Sequence, residues 1–241
     1  MSYRKIRRDY QSHDRVEAVL VDHYAKLVSP VFTSVLVKTK LTPNSVTVLM
    51  MFSGFLGAAL FAMPLVGLKV LGLLFIHIWY VLDCSDGEVA RIKNYFSKFG
   101  TEIDYTAHMV NHPLFNLAFI YSLIGMGRWN SRIVLFVAIL SISAELVLRN
   151  LCTFHYIYDS KMSISIATKQ SKKGSLRNMA SRIVGFFYIY PNFVLLFPIT
   201  FLADYYLGTS ISLYYFFVQT VVSSLAAMRT SYMWVRTIVS L

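Results

Sequence analysis

Cysteine is almost missing from this chain. Cys84 and Cys152 are the two present in 241 residues, too few for a disulfide framework or a four-ligand zinc site. Charge is also scarce, at 15% of residues against roughly 25% in a typical soluble domain. With 56% hydrophobic residues and a mean hydropathy of +0.54, this excludes a disordered chain and argues against a water-soluble globule. Acids are the scarcest charges: twelve against 23 Lys and Arg, a net charge of +11. A basic chain this apolar points to an anionic membrane leaflet and anionic ligands rather than to nucleic acid. The start, MSYRKIRRDYQSHD, lacks the apolar core of a signal peptide. No internal repeat or low-complexity linker interrupts the chain.

Long uncharged runs are what the chain does have. Residues 42–68 contain no Asp, Glu, Lys or Arg, enough to cross a bilayer. Thr42 can cap this helix, with Pro43 at its first position. The second run, Val70 to Leu82, has only 13 residues, about 20 Å of helix, too short for a ~30 Å core. The helix is therefore expected to continue through Asp83, Asp86 and Ala90, carrying acids to membrane depth. Further spans are expected at Tyr105–Gly127, Ile133–Arg149, Ile183–Ala203 and Tyr205–Met228. Ahead of them, Val16, Val19, Leu20, Leu27, Val31 and Val35 recur at helical spacing among charges, so an amphipathic interfacial helix is expected over Arg15–Lys38; an ordinary cytosolic helix is the alternative. The expected fold is all-α and integral to the membrane: six transmembrane helices (42–241) behind an N-terminal interfacial segment (1–41). Twenty of the 23 cations fall on one side of this arrangement, and only Lys69, Arg128 and Arg132 on the other. That asymmetry predicts both termini in the cytosol.

Five of the twelve acids lie between Asp83 and Asp104. Asp83 and Asp86 are i and i+3, and Asp104 and His108 are i and i+4, so each pair shares a helix face. A hairpin turning sharply near Gly100 would bring these four side chains to one depth at the cytosolic edge. Clustered like charges in a low dielectric repel, and carboxylates suit a divalent cation such as Mg²⁺, Mn²⁺ or Ca²⁺. Gly87 and Ala90 leave room for a ligand near the backbone, and Arg91 offers a fork for phosphate. Together these suggest phosphoryl transfer on a nucleotide. The bland alternative is a set of interfacial acids paired with Arg91 and Lys93, but intramembrane acids are usually functional.

The pattern D-x2-D-G-x2-A-R-x8-G-x3-D, read here as Asp83, Asp86, Gly87, Ala90, Arg91, Gly100 and Asp104, resembles the signature of the CDP-alcohol phosphotransferase family. TPN with Thr47, before the first span, is similar to the family as well. The resemblance implies a membrane enzyme with a CDP-linked alcohol donor, a hydroxyl acceptor and a divalent metal, Mg²⁺ or Mn²⁺. It implies metal ligation by Asp83, Asp86, Asp104 and the residue at 108, donor binding by Asn44, Thr47, Gly87, Ala90 and Arg91, and catalysis at 104 and 108. It also implies a homodimer working in phospholipid or related phosphodiester synthesis, with CMP released. One position departs: the family has an acid where this chain has His108. Three readings of it stay open. It is the general base, or it ligates a softer metal, or the chain has lost the usual reaction and is a silent lipid-binding homologue. A six-span cation or solute transporter is the remaining alternative.

Other signals are weaker. HMVNH, with His108 and His112, lacks the Glu of a zinc hydrolase, and SKKGSLR is not a phosphate-binding loop. His112 reads as a packing residue. Glu145 and Arg149, i and i+4, read equally as a buried ion pair or as a wall of the acceptor site.

Overall fold

The computed structural model describes residues 2–11, 20–158 and 190–239. All regular structure among them is α-helical: α1 (Tyr3–Asp9), α2 (Leu20–Leu36), α3 (Pro43–Ala62), α4 (Val66–Lys93), α5 (Gly100–Gly125), α6 (Ser131–Tyr158), α7 (Tyr190–Leu207) and α8 (Ile211–Val239). Parts of the sequence reading lie outside the described residues: the start of the amphipathic helix, the SKKGSLR segment and the first residues of the expected fifth span.

Among the described residues, four helices are long and apolar enough to cross a membrane: Pro43–Ala62, Val66–Lys93, Ser131–Leu151 and Ile211–Arg236. Tyr24–Leu36 and Asn192–Leu207 are shorter apolar helices. The expectation of six spans is thus met by four on length and composition. The difference at α5 has a clear cause: His108, Asn111, His112 and Asn116 lie along it and lower its hydropathy.

Several boundaries move. The run at 42–68 is not one helix. Thr42 caps α3, its hydroxyl accepting from Ser45 N at 3.2 Å, but the helix stops at Ala62. Pro64 has no N–H to continue it, and Met63 before it is extended. Consequently α4 starts at Val66, and Lys69, expected just ahead of this span, lies in its first turn, 5% exposed. Its ammonium donates to Phe61 O at 2.8 Å and to Ser122 Oγ at 2.7 Å. A cation at the carbonyl end of α3 is stabilised by the negative end of that helix's dipole. The last span starts at Ile211 rather than Tyr205, because the chain breaks at Gly208, whose φ of +71° is left-handed. The carboxylate of Asp204 then caps α8, accepting from Ile211 N at 2.9 Å and Ser212 N at 2.7 Å.

α4 crosses α3 where two glycines meet. A Cβ on Gly72 would stand 2.5 Å from Phe61 N and 2.8 Å from Gly57 O, so small residues allow the backbones to touch. Gly72→Val is expected to destabilise the fold by about 1–3 kcal/mol through overpacking. Gly67→Val, with nothing within 4 Å, should be near neutral. Thermal unfolding of both variants in lipid nanodiscs checks this, and equal midpoints would refute it.

Inside, Phe61, Phe115, Phe119, Phe193, Phe197 and Phe201 are fully buried, with Phe119 stacked on Phe197 at 4.4 Å. Outside, Phe52, Phe55, Phe136, Ile139 and Tyr214 are exposed, as lipid-facing side chains are. α2 shares this logic. Leu27, Val31 and Val35 point outward, while Ala25, Ser29 and Thr33 are buried against the bundle, where α2 packs on α4. Amphipathic sidedness is present, but the inward face is the small and polar one.

Candidate active site

α4 runs unbroken through Asp83, Asp86 and Ala90 and ends at Lys93. Asn94 closes it in the left-handed conformation, φ +50°, which Asn tolerates better than most residues. The reversal occupies residues 94–99, and Gly100 is the first residue of α5. The special backbone position is therefore Asn94, not Gly100 as expected.

This hairpin sets Asp83 on α4 opposite Asp104 and His108 on α5. His108 Nε2 is 2.9 Å from Asp83 Oδ1 and 3.4 Å from Asp104 Oδ1. One ligand atom from each of the three residues falls within 4.8 Å of the others. Asp104 Oδ1 is buried without a hydrogen-bond partner. Two carboxylates and an imidazole in that arrangement fit a divalent cation. Asp86 lines the same cleft, but its carboxylate turns to α3 and accepts from Thr47 Oγ1 at 2.7 Å.

The cleft has a volume of about 310 Å³, and Gly87 and Arg91 also line it. A Cβ at Gly87 would stand 3.4 Å from the Arg91 guanidinium, so the glycine leaves room for a ligand beside that group. Arg91 Nε donates to Tyr10 O, and Lys93 Nζ donates to Thr39 O and Leu41 O, both at 2.8 Å. These cations thus bond backbone carbonyls, unlike the reading in which they pair with the acids. Ala90 is half-buried on α4, and its carbonyl accepts from Tyr95 N at 3.0 Å. Asn44 is not brought to the cleft; its amide donates to Ser97 Oγ at 3.0 Å and ties α3 to the reversal.

Behind His108 stands a second layer. His108 Nδ1 lies 3.3 Å from Nε2 of His112. Arg149 Nε donates to His112 Nδ1 at 3.2 Å, Glu145 Oε1 is 3.5 Å from the same nitrogen, and the Tyr190 ring stacks on the imidazole at 4.2 Å. The buried indole of Trp79 meets both histidines edge-on, at 5.5 and 5.7 Å. His112 is thus more than packing, and Arg149 and Glu145 converge on it. The HxxxH spacing was the signal for this contact. Nothing local pointed to Trp79 or Tyr190, which arrive from other helices. Glu88 was also missed as a site feature. It lines the cleft two residues after Asp86 but lies on another face of α4.

Residues 40–240 match the family model described as CDP-alcohol phosphatidyltransferase. No curated protein matches.

Proposed function

The chain belongs to the CDP-alcohol phosphatidyltransferase family, which transfers a phosphate-linked alcohol from a CDP-alcohol in lipid synthesis and is in general dependent on a divalent metal; from that premise we propose that this protein is itself an active, metal-dependent transferase whose reaction runs in the α4–α5 cleft. The observation that carries the proposal is the convergence of Asp83, Asp104 and His108 beside Arg91 in one cleft.

Asp83, Asp86 and Asp104 are the residues that would hold the cation, and His108 stands beside them as the base. A bound cation would neutralise diphosphate charge and polarise the β-phosphoryl oxygens. The acceptor hydroxyl oxygen attacks the β-phosphorus. A new P–O bond forms, the bond from that phosphorus to the bridging oxygen breaks, and CMP leaves with the electron pair. His108 takes the hydroxyl proton at Nε2 as that nitrogen passes the proton it shares with Asp83 Oδ1, 2.9 Å away, to the carboxylate. Arg91 and Gly87 form the phosphate wall, and Thr47 holds Asp86 in position.

The cleft and both termini face the cytosol, a reading supported by the cation asymmetry, and the enzyme works as a homodimer, as the family resemblance implies. The unbroken course of α4 and α5 past the acids favours transfer over transport, because transporters build their sites from interrupted helices near the midplane.

Protein purified into lipid, given candidate CDP donors, a pool of acceptor alcohols and Mg²⁺ or Mn²⁺, should release CMP, and mass spectrometry should then identify a new phosphodiester. CMP release that stops with chelator is the expected result. Donor binding without CMP release under every condition would establish the silent-homologue reading instead.

A further inference from the structure

We propose that the segment preceding the family match is part of the donor site: Lys26 of α2 contacts the diphosphate of the nucleotide donor, and the buried Glu88 latches α2 onto α4 to present it. This rests on the transferase reading and extends it to residues that the match at 40–240 does not include.

The cleft's walls come from two parts of the chain. Asp83, Asp86, Arg91 and Asp104 line it from α4 and α5, whereas Gln11 and Lys26 line it from the N-terminal segment. The protein charge contributed by the aspartates is negative, and so is a nucleoside diphosphate. Binding such a donor therefore calls for cationic groups in the same wall as well as a bound cation. Arg91 is one, oriented by the bond from its Nε to Tyr10 O. Lys26 is the other. Its ammonium has no hydrogen-bond or ion-pair partner among the described residues, so it is available to a ligand.

Glu88 explains how Lys26 is kept there. It is 2% exposed, and a carboxylate so buried needs hydrogen-bond donors. Ser29 Oγ donates to its Oε1 at 2.6 Å, Gln11 Nε2 to the same oxygen at 2.9 Å, and Thr33 Oγ1 to Oε2 at 2.6 Å. Each of these donors comes from the N-terminal segment. Gln11 also donates to Lys26 O at 2.7 Å, joining the latch directly to the backbone of the lysine. The spacing supports the division of labour: Ser29 and Thr33 are i and i+4 on the inward face of α2, and Lys26, one turn earlier, reaches the cleft. On α4, Asp86 is held by a threonine of α3 on one side, and Glu88 by hydroxyls of α2 on the other.

The test uses the full chain in vesicles of phosphatidylcholine alone and in vesicles with an added minority of anionic phospholipid. Lys26→Ala is expected to raise KM for the CDP donor by about tenfold or more, the usual consequence of losing a charged hydrogen bond, with kcat changed by less than about twofold; Lys26→Arg should keep the wild-type KM. Ser29→Ala with Thr33→Val should raise the donor KM in the same way and speed hydrogen exchange across α2, although neither side chain lines the cleft. An unchanged donor KM in Lys26→Ala overturns the proposal. So does an effect confined to the anionic vesicles, which would assign Lys26 to a lipid phosphate. Direct binding of labelled CDP separates this inference from the transferase reading. If wild type binds CDP but transfers nothing, transfer is refuted, and Lys26 is judged on whether Lys26→Ala weakens CDP binding. If wild type binds no CDP, both fail.

Discussion

Replacing His108 with alanine is expected to lower the transfer rate by about 10²–10⁴-fold, the usual worth of a general base, while CDP binding persists. The geometry explains both halves. His108 Nε2 faces Asp83 and Asp104, where an acceptor hydroxyl would meet the donor. The nucleotide side of the cleft, by contrast, is built from Gly87 and Arg91 and is left intact. His108→Asp restores the acid that the family pattern carries at this position, and should recover transfer with a shift of metal preference toward Mg²⁺, the harder cation. His112 refines the test. Its Nε2 lies 3.3 Å from His108 Nδ1, so it positions the imidazole, and an aspartate at 108 has no ring nitrogen for it to hold. His112→Phe should therefore impair wild type much more than it impairs the His108→Asp variant. Equal losses in the two backgrounds would mean that His112 matters only for folding. Full turnover in His108→Ala would show that His108 does no chemistry.

Asp83→Asn is expected to weaken divalent-cation binding by at least about 100-fold, taking as a floor the upper end of what losing an outer-shell partner costs, and to abolish metal-dependent transfer. Asp83 is the acid closest to His108, at 2.9 Å, and belongs to the one group of three potential ligands that converge among the described residues. An amide keeps the shape of the side chain and an acceptor oxygen for the imidazole but removes the charge that attracts the cation. Asp86→Asn should give a smaller loss of Mn²⁺ affinity, because that carboxylate is already turned to Thr47. Titration of Mn²⁺ by electron paramagnetic resonance measures both without reference to turnover. Wild-type Mn²⁺ affinity in Asp83→Asn would remove this residue from the metal site.

Much of this was open to a reader of the sequence, for reasons that are local. A run of 13 uncharged residues is too short to cross a bilayer, so α4 had to carry its acids onward, and it does. Helical spacing sets which residues share a face, and a short reversal between two helices makes them antiparallel, so Asp83, Asp104 and His108 had to lie near one another. The seven-position motif led to the family, which the match over residues 40–240 now shows.

What remained depended on contacts between segments far apart in the chain. Asp83 and Asp86 share a face of α4, yet one carboxylate turns to His108 and the other to Thr47, 39 residues away. Spacing fixes the direction of a Cβ, but the rotamer answers to whichever donor a neighbouring helix supplies. Asn44 went to Ser97 and Lys69 to Phe61 O for the same reason: a buried polar group takes the nearest partner that satisfies it. Glu88 is the clearest case. Within its own sequence neighbourhood it is one more acid among five, and only the packing of α2 against α4, which brings Ser29 and Thr33 to within 2.6 Å of it, makes it the point that holds the N-terminal segment against the cleft.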